Sequence, residues 1–256
     1  QQQTAGESNS LPPGALPDSE LIEQVVHANL STVDALTEEI VTRSLTAAVP
    51  ALERLWRRFH GFGTNRPFRE QNAVLETLAR LNSPDADSAL RRIALGPNVP
   101  ASLLPVVLRA AADKRLELPA SFVAGLLDHE DAVIREPAFA LAITANVPVL
   151  RLRIGLSDQL ISIRRDAAVA LAIQGDSSGR DVLIAMLAHA PSIELIDALG
   201  AVGDDEAIVA LGRCAMNFSD LAPRIVTILR DLDSPRAERL ASRLEADLAG
   251  RVTNEA

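Results

Sequence analysis

Apolar residues recur along this chain at two intervals, a short one within a helix and a much longer one between helices. In the segment IRRDAAVALAIQGD, the positions Ile163, Ala167, Ala170 and Leu171 follow the i, i+4, i+7, i+8 spacing of one helix face. The segment VIREPAFALAITAN, which begins 30 residues earlier at Val133, repeats the pattern. We therefore predict a helix that recurs along the sequence as one part of a repeat.

The repeat can be followed through the leucine at the centre of this pattern. Equivalent leucines lie at intervals of 28 to 33 residues and are Leu78, Leu108, Leu141, Leu171, Leu199 and Leu229. Self-similarity at a nearly fixed period of this length is typical of proteins built from stacked structural repeats. The register predicts about six units.

Each unit is predicted to be a helical hairpin. Turn formers follow the marker leucine, as in GDSSG at 175–179 and GDD at 203–205, where they end one helix and cap the next. A second apolar stripe begins about twelve residues after the marker, as at Leu183 and Leu211. No segment shows the period-two alternation of a strand. The pattern predicts an all-α chain whose units read helix A, short turn, helix B.

The segment IRRDAAVALAIQGDSSGRDVLIAML resembles the short HEAT-like repeats of bacterial proteins, including those of the phycobilisome lyase type. The resemblance rests on the Ile163–Arg164 step, the small residues Ala167 and Ala168, and the turn at Gly175. It extends over about two-thirds of the chain. It implies a right-handed α-solenoid of about six HEAT-like hairpins, in which the B helices line a concave surface.

The remaining segments are predicted to flank the repeats. Residues 1–17 are polar and rich in Pro, Gly and Ser, which favours a flexible leader. Residues 18–68 hold three amphipathic helical segments, which we interpret as an N-terminal helical cap over the first repeat. The solenoid is predicted to occupy 69–248, followed by a frayed tail at 249–256.

The composition of the chain argues against several classes of function. A net charge of −9 argues against a protein that grips phosphate backbones, so no nucleic-acid partner is expected. The single cysteine, Cys214, excludes an internal disulfide, and no spacing typical of a metal site or an activated nucleophile occurs. No apolar run is long enough to span a bilayer. We expect no catalytic residue, metal or cofactor, and therefore no enzyme activity.

The leader also bears on the compartment. The chain begins with Gln1 rather than Met, and a polar mature start is what remains after cleavage of a signal peptide or anchor. We therefore expect export, to the periplasm for a bacterial protein. A cytoplasmic location is the alternative.

Two groups of residues are candidates for binding a partner. The first is a row of arginines at solvent-facing positions of the predicted B helices, which suits carboxylates. The second lies in WRRFHGFGTNRPFR, from Trp56, which holds four of the seven aromatic residues. The predicted partner-binding residues are Arg91, Arg92, Arg151, Arg153, Arg180, Arg213, Arg239, Arg243, Trp56, Arg57, Phe62 and Arg66. The alternatives are a solvated helix face paired with Asp and Glu, and a hinge whose aromatic residues pack in the core.

These observations favour a non-catalytic protein-binding scaffold or adaptor, as a subunit or assembly factor of a larger complex. Its partner would be another protein, offering an acidic surface or an extended peptide to the concave face. One alternative is an accessory protein, lyase-like or chaperone-like, that handles a cofactor-bearing partner, by analogy with phycobilin lyases. A nucleic-acid protein is the third hypothesis, and the acidic charge disfavours it.

Overall fold

The structure is a computed structural model that describes residues 11–254, with the backbone alone for 251–254. In this range the chain forms α-helices and short 3-10 turns and contains no strand, which confirms the all-α prediction. The helices divide into two compact units, with the boundary between Leu116 and Glu117. Residues 1–10 of the predicted leader and residues 255–256 of the predicted tail lie outside the described residues.

The first unit is a two-layered stack of helices. Its helices are α1 (Asp18–Val26), α2 (Val33–Thr42), α3 (Val49–Arg57), α4 (Arg69–Arg80), α5 (Pro84–Ala94) and α6 (Leu104–Asp113). Helices α1, α3 and α5 contact one another in turn, and so do α2, α4 and α6. The predicted cap helices thus alternate between layers in the same way as the first repeat. Helix α4 packs on both α2 and α3. The helix packing is therefore continuous across residue 68, the predicted boundary between the cap and the solenoid.

The second unit repeats this alternation. Its helices are α7 (Ala120–Ala124), α8 (Ala132–Ala142), α9 (Val149–Leu152), α10 (Ile161–Ile173), α11 (Arg180–His189), α12 (Ile193–Val202), α13 (Asp205–Asn217), α14 (Ala222–Asp231) and α15 (Pro235–Asn254). The A helices α8, α10, α12 and α14 contact one another in turn. The B helices α11, α13 and α15 do the same on the other side of the core. From α10 to α15 the helices therefore alternate between two layers, as they do in the first unit.

The marker leucines lie in the core. Each is at most 1% exposed, and they are Leu78, Leu108, Leu141, Leu171, Leu199 and Leu229. Removing such side chains from water supplies about 1.5–3 kcal/mol each. The repeat period therefore reports one structural position, the buried centre of each A helix.

Small residues let neighbouring elements approach closely. A Cβ atom on Gly179 would lie 2.7 Å from the Cα atom of Ala168 in α10. A Cβ on Gly200 of α12 would lie 2.5 Å from Cγ2 of Ile228 in α14. Contacts this short leave no room for a side chain, so these glycines set the distance between successive elements.

In the two repeats marked by Leu108 and Leu141, helix B is much shorter than the pattern predicts. Helix α7 has five residues, and α9 has four before the 3-10 turn Arg153–Ser157. In that turn, a Cβ atom on Gly155 would lie 2.5 Å from Cε1 of Phe139 and 2.7 Å from Cβ of Ala167. Because Gly155 has no side chain, the backbone of this turn packs directly against α8 and α10.

Pro105 lies in the first turn of α6, a position where proline favours the start of a helix and does not interrupt it.

The described parts of the predicted leader and tail, residues 11–17 and 249–254, adjoin helices. The guanidinium of Arg43 donates to the carbonyl oxygens of Leu16, at 2.8 Å, and Pro13, at 3.1 Å, and Leu16 is buried. Residues 11–17 of the predicted leader are therefore attached to the end of α2. At the other end, α15 is helical through Asn254, which includes residues 249–254 of the predicted tail.

The contact between Gly179 and Ala168 yields a stability test. We expect Gly179→Ala to lower the free energy of unfolding by about 1–3 kcal/mol, because the added methyl group overpacks a closed contact. Urea denaturation followed by circular dichroism measures the change. The matched control is Gly61→Ala, since a Cβ at Gly61 meets nothing within 4 Å. An equal effect of the two substitutions would contradict the packing argument.

Candidate functional site

Four of the predicted partner-binding arginines are engaged in ion pairs within the protein. In the second unit, Arg153 reaches Asp176 at 2.5 Å and Arg180 reaches Asp204 at 2.9 Å, each across to the next hairpin. Arg151 contacts Asp128 at 3.1 Å and donates to the carbonyl oxygen of Ala124. In the first unit, Nε of Arg92 lies 2.8 Å from Glu53. For these four arginines the alternative interpretation, pairing with neighbouring carboxylates, describes the structure.

The turn aspartates serve two contacts at once. Asp204 is the N-cap of α13 and accepts a hydrogen bond from the Ala207 amide at 2.9 Å while it also accepts from Arg180. Burial acts to raise the pKa of the Asp204 carboxyl, but the Ala207 amide and the Arg180 guanidinium outweigh it and hold the pKa below its usual value. Hydrogen bonds that Arg180 donates to Asp204 and Asp181 raise the pKa of its guanidinium. These aspartates tie each hairpin to the one before it.

Four more arginines of the predicted B-helix row form no ion pair with any described residue: Arg91, Arg213, Arg239 and Arg243. Arg213 is exposed on α13 and lines two cavities between α11 and α13. Their volumes are about 490 Å³ and 170 Å³. Because one arginine borders both, the two cavities are neighbouring parts of one surface. We call this surface the Arg213 groove; its lining includes Ile184, Leu187, Ala188, Val209, Ala210, Arg213 and Phe218.

Arginines from α15 extend the same positive surface. Arg236 lines the larger cavity together with Arg213 and is paired with Asp205 at 3.1 Å. Arg239 and Arg243 follow it at i+3 and i+7 and therefore lie on the same face of α15. The carboxylates Asp181 and Glu206 at this cavity are both bound by Arg180. The three acids that line this cavity are thus paired with other arginines, whereas Arg213, Arg239 and Arg243 form no ion pair with a described residue.

The floor of the groove is apolar. Ile184 and Val209 are half-buried, and Phe218 at the end of α13 is 36% exposed. Cys214 lines the smaller cavity, but it is buried, and burial together with the nearby Asp220 raises the pKa of its thiol. A thiol of this kind is a core residue rather than a nucleophile. The groove therefore combines apolar contact area with arginine, the combination common at protein interfaces.

The aromatic segment of the first unit is largely structural. Trp56 is 4% exposed, so its ring is not an outward partner contact, which corrects the prediction for this residue. Phe59 is buried and stacks on Phe68, with ring centroids 4.5 Å apart. The exposed members are Phe62, at 68%, together with Arg57 and Arg66. Phe59 and Phe68 thus pack against each other between α3 and α4.

Among residues 11–250, no three side chains of His, Cys, Asp or Glu are grouped closely enough to hold a metal ion. Likewise, no helix in the described range has the length and apolar character needed to cross a bilayer.

Two features of the site were missing from the predictions. One is which aspartates pair with Arg153 and Arg180, since the alternative of pairing with Asp and Glu named no partners. The spacing of 23 to 24 residues between Arg and Asp in successive hairpins is the signal that could have found them. The other is a cavity in the first unit that brings Arg92 beside Trp56 and Arg57, residues 35 or more positions apart in sequence. No periodicity signals that contact, because it depends on how α3 packs on α5.

Comparison with known proteins gives weak likenesses only. No protein-family model matches the chain, and no curated protein matches it. The solved structure of YibA from Escherichia coli aligns over 97% of this chain and 99% of its own, with 16% identity and a TM-score of 0.45. An engineered protein aligns over 91% and 69%, with 16% identity and a TM-score of 0.45. Human deoxyhypusine hydroxylase in complex with glycerol aligns over 93% and 92%, with 14% identity and a TM-score of 0.32. At these scores the likenesses carry no argument about activity.

The pairing of Asp204 with Arg180 predicts a pH dependence. Because the folded-state pKa of Asp204 is lowered, its contribution to stability is present above the unfolded-state value of 3.8 and is lost as the pH falls through the folded-state pKa. We expect Asp204→Ala to destabilise the protein by about 1 kcal/mol at pH 7 through loss of the cap. Urea denaturation at pH 7 and at about pH 3 measures how the difference from wild type shrinks in acid.

Asp247→Ala provides the control, since Asp247 is exposed in α15 and makes no ion pair with a described residue. A destabilisation by Asp204→Ala that is the same at both pH values would contradict the linkage.

Proposed function

We propose that this chain is a HEAT-like repeat protein that acts as a non-catalytic scaffold and binds an acidic segment of a partner protein. The contact pattern of stacked hairpins within each unit supports the repeat assignment. The right-handed solenoid, the role as a complex subunit or assembly factor, and export all stay predictions.

The observation that carries the proposal is the position of Arg213. Its guanidinium borders both cavities of the groove and has no described carboxylate partner. An arginine in such a place offers two parallel N–H groups to a carboxylate, and such charge-assisted hydrogen bonds are stronger than neutral ones. The partner side chain that matches Arg213 is therefore Asp or Glu.

The other residues of the groove indicate which partner side chains would lie beside that carboxylate. Ile184, Val209 and Phe218 offer apolar surface to aliphatic or aromatic side chains of the partner. Arg239 and Arg243 supply further positive charge on α15. An extended segment or helix face that carries Asp or Glu next to apolar residues would match both. The two-layered packing supports the rigidity that such a binding surface needs, because a preorganised surface loses less conformational entropy on binding.

Site-specific photo-cross-linking in the source cell tests this proposal. A photoreactive phenylalanine analogue at Phe218 is expected to capture one partner protein, and mass spectrometry of the cross-link should place an acidic segment in the groove. The same analogue at Ile193, which is exposed on the A helix α12, is the matched control. Capture at both positions with equal yield, or a cross-linked segment without Asp or Glu, would refute the groove as the binding site.

The charge requirement is tested with the double variant Arg213→Glu/Arg239→Glu. We expect the cross-linking yield at Phe218 to fall by about tenfold or more, since hydrogen bonds to a charged group contribute about 1.5–3 kcal/mol. The charge-matched control is Arg54→Glu/Arg115→Glu, which reverses two exposed arginines of the first unit that have no ion pair with a described residue. Circular dichroism checks that both variants remain helical. An unchanged yield in the groove variant would overturn the proposal.

A further inference from the structure

The first unit contains a half-open cavity of about 220 Å³ where the end of α3 meets the end of α5. Trp56 and Arg57 approach it from α3, Arg92 and Ile93 from α5, and His60 from the 3-10 turn that follows α3. The loop after α5, residues 96–99, completes the wall. The cavity is smaller than the roughly 300–1,000 Å³ of pockets that hold drug-sized ligands, so its occupant is a small molecule.

Hydrogen-bond donors outnumber acceptors around this cavity. Nε2 of His60 is buried and has no hydrogen-bond partner. The amide of Asn98 lies 3.4 Å from Nδ1 of the same ring, so Nδ1 accepts and the proton of the neutral ring lies on Nε2. Burial and the nearby Arg57 lower the pKa of His60, which keeps the imidazole neutral at pH 7. An N–H donor without an acceptor therefore belongs to a residue of the cavity wall.

Two further donors belong to the same wall. The indole N–H of Trp56 has no acceptor among the described residues, although the ring itself is buried. Arg57 uses Nε to donate to the carbonyl oxygen of Glu53, and its terminal nitrogens form no ion pair with a described residue. The one carboxylate present, that of Glu53, is already bound by Arg92 at 2.8 Å. Arg57, His60 and Trp56 thus carry N–H groups that no described residue accepts, and an anionic ligand would accept them.

The remaining wall is apolar. Ile93, Pro97 and Val99 face the cavity together with the ring of Trp56. A phosphate ion would leave this apolar surface in contact with water, whereas an aliphatic or aromatic body would cover it. The site therefore combines donors for one anionic group with a small apolar surface.

We propose that this cavity binds a small organic carboxylate with an apolar body, whose carboxylate accepts hydrogen bonds from Arg57, His60 and Trp56. This site is separate from the proposed groove, so a failure of either proposal leaves the other standing. Arg57 supplies the positive charge and His60 and Trp56 supply neutral donors, which is the composition expected for a monoanion.

The chain supplies its own probe. Trp56 is the only tryptophan and there is no tyrosine, so intrinsic fluorescence and the single indole N–H resonance both report on the cavity wall. Purified full-length protein is titrated with isovalerate, cyclohexanecarboxylate and benzoate, and in parallel with isovaleramide and inorganic phosphate. We expect a saturable change in both signals with at least one carboxylate and a much weaker response to the amide and to phosphate.

Arg57→Gln and Arg54→Gln form a matched pair of variants on the same helix, because both arginines are exposed and only Arg57 lines the cavity. We expect Arg57→Gln to weaken carboxylate binding about tenfold or more and Arg54→Gln to leave it unchanged. The proposal is overturned if no carboxylate gives a saturable change, if amide or phosphate binds as well as the carboxylate, or if the two variants behave alike.

Discussion

A helical hairpin of about thirty residues is too thin to bury its own apolar side chains, and this constraint governs the whole molecule. Helix α10 illustrates it, because Ala167, Ala168, Ala170 and Leu171 are all within 1% of full burial, which leaves little of its surface for water. A helix that is apolar around most of its circumference requires neighbours on several sides. Helices α8, α11 and α12 provide them. Stacking is therefore the condition for folding rather than a consequence of it.

Close packing of the helices also determines which side chains near the turns form ion pairs. Gly179 and Ala168 let the two helices of one hairpin meet closely, and Gly200 lets α12 approach Ile228 of the next hairpin. In hairpins packed this closely, the turn aspartates lie within reach of arginines on the preceding hairpin. Partly exposed pairs of this kind contribute little to stability, about 0–1 kcal/mol each. Their effect is to fix the position of each arginine relative to the turn aspartate of the next hairpin. They also remove Arg153 and Arg180 from the positively charged surface, so that Arg213, Arg239 and Arg243 remain available.

The two candidate sites differ in kind because their walls differ. The Arg213 groove lies between the B helices α11 and α13 of the second unit, where two neighbouring cavities share a border that contains arginine. Its proposed occupant is therefore a segment of polypeptide. The cavity beside Trp56 lies where a helix end, a 3-10 turn and a loop meet in the first unit. Irregular backbone closes a small space that regular helix packing leaves open, and such a space matches a small molecule.

The sequence alone determined the helical class, the repeat period and the buried centre of each A helix, because periodic burial of leucines leaves a periodic mark in the chain. It also identified Asp176 and Asp204 as turn residues, since capping is a local interaction. Only the tertiary structure decided that helix B shrinks to α7 and α9, where Gly155 approaches Phe139. It likewise decided which arginines are paired and that Arg92 meets Trp56. These outcomes depend on contacts between residues far apart in the chain, and a residue's identity does not specify its distant neighbour.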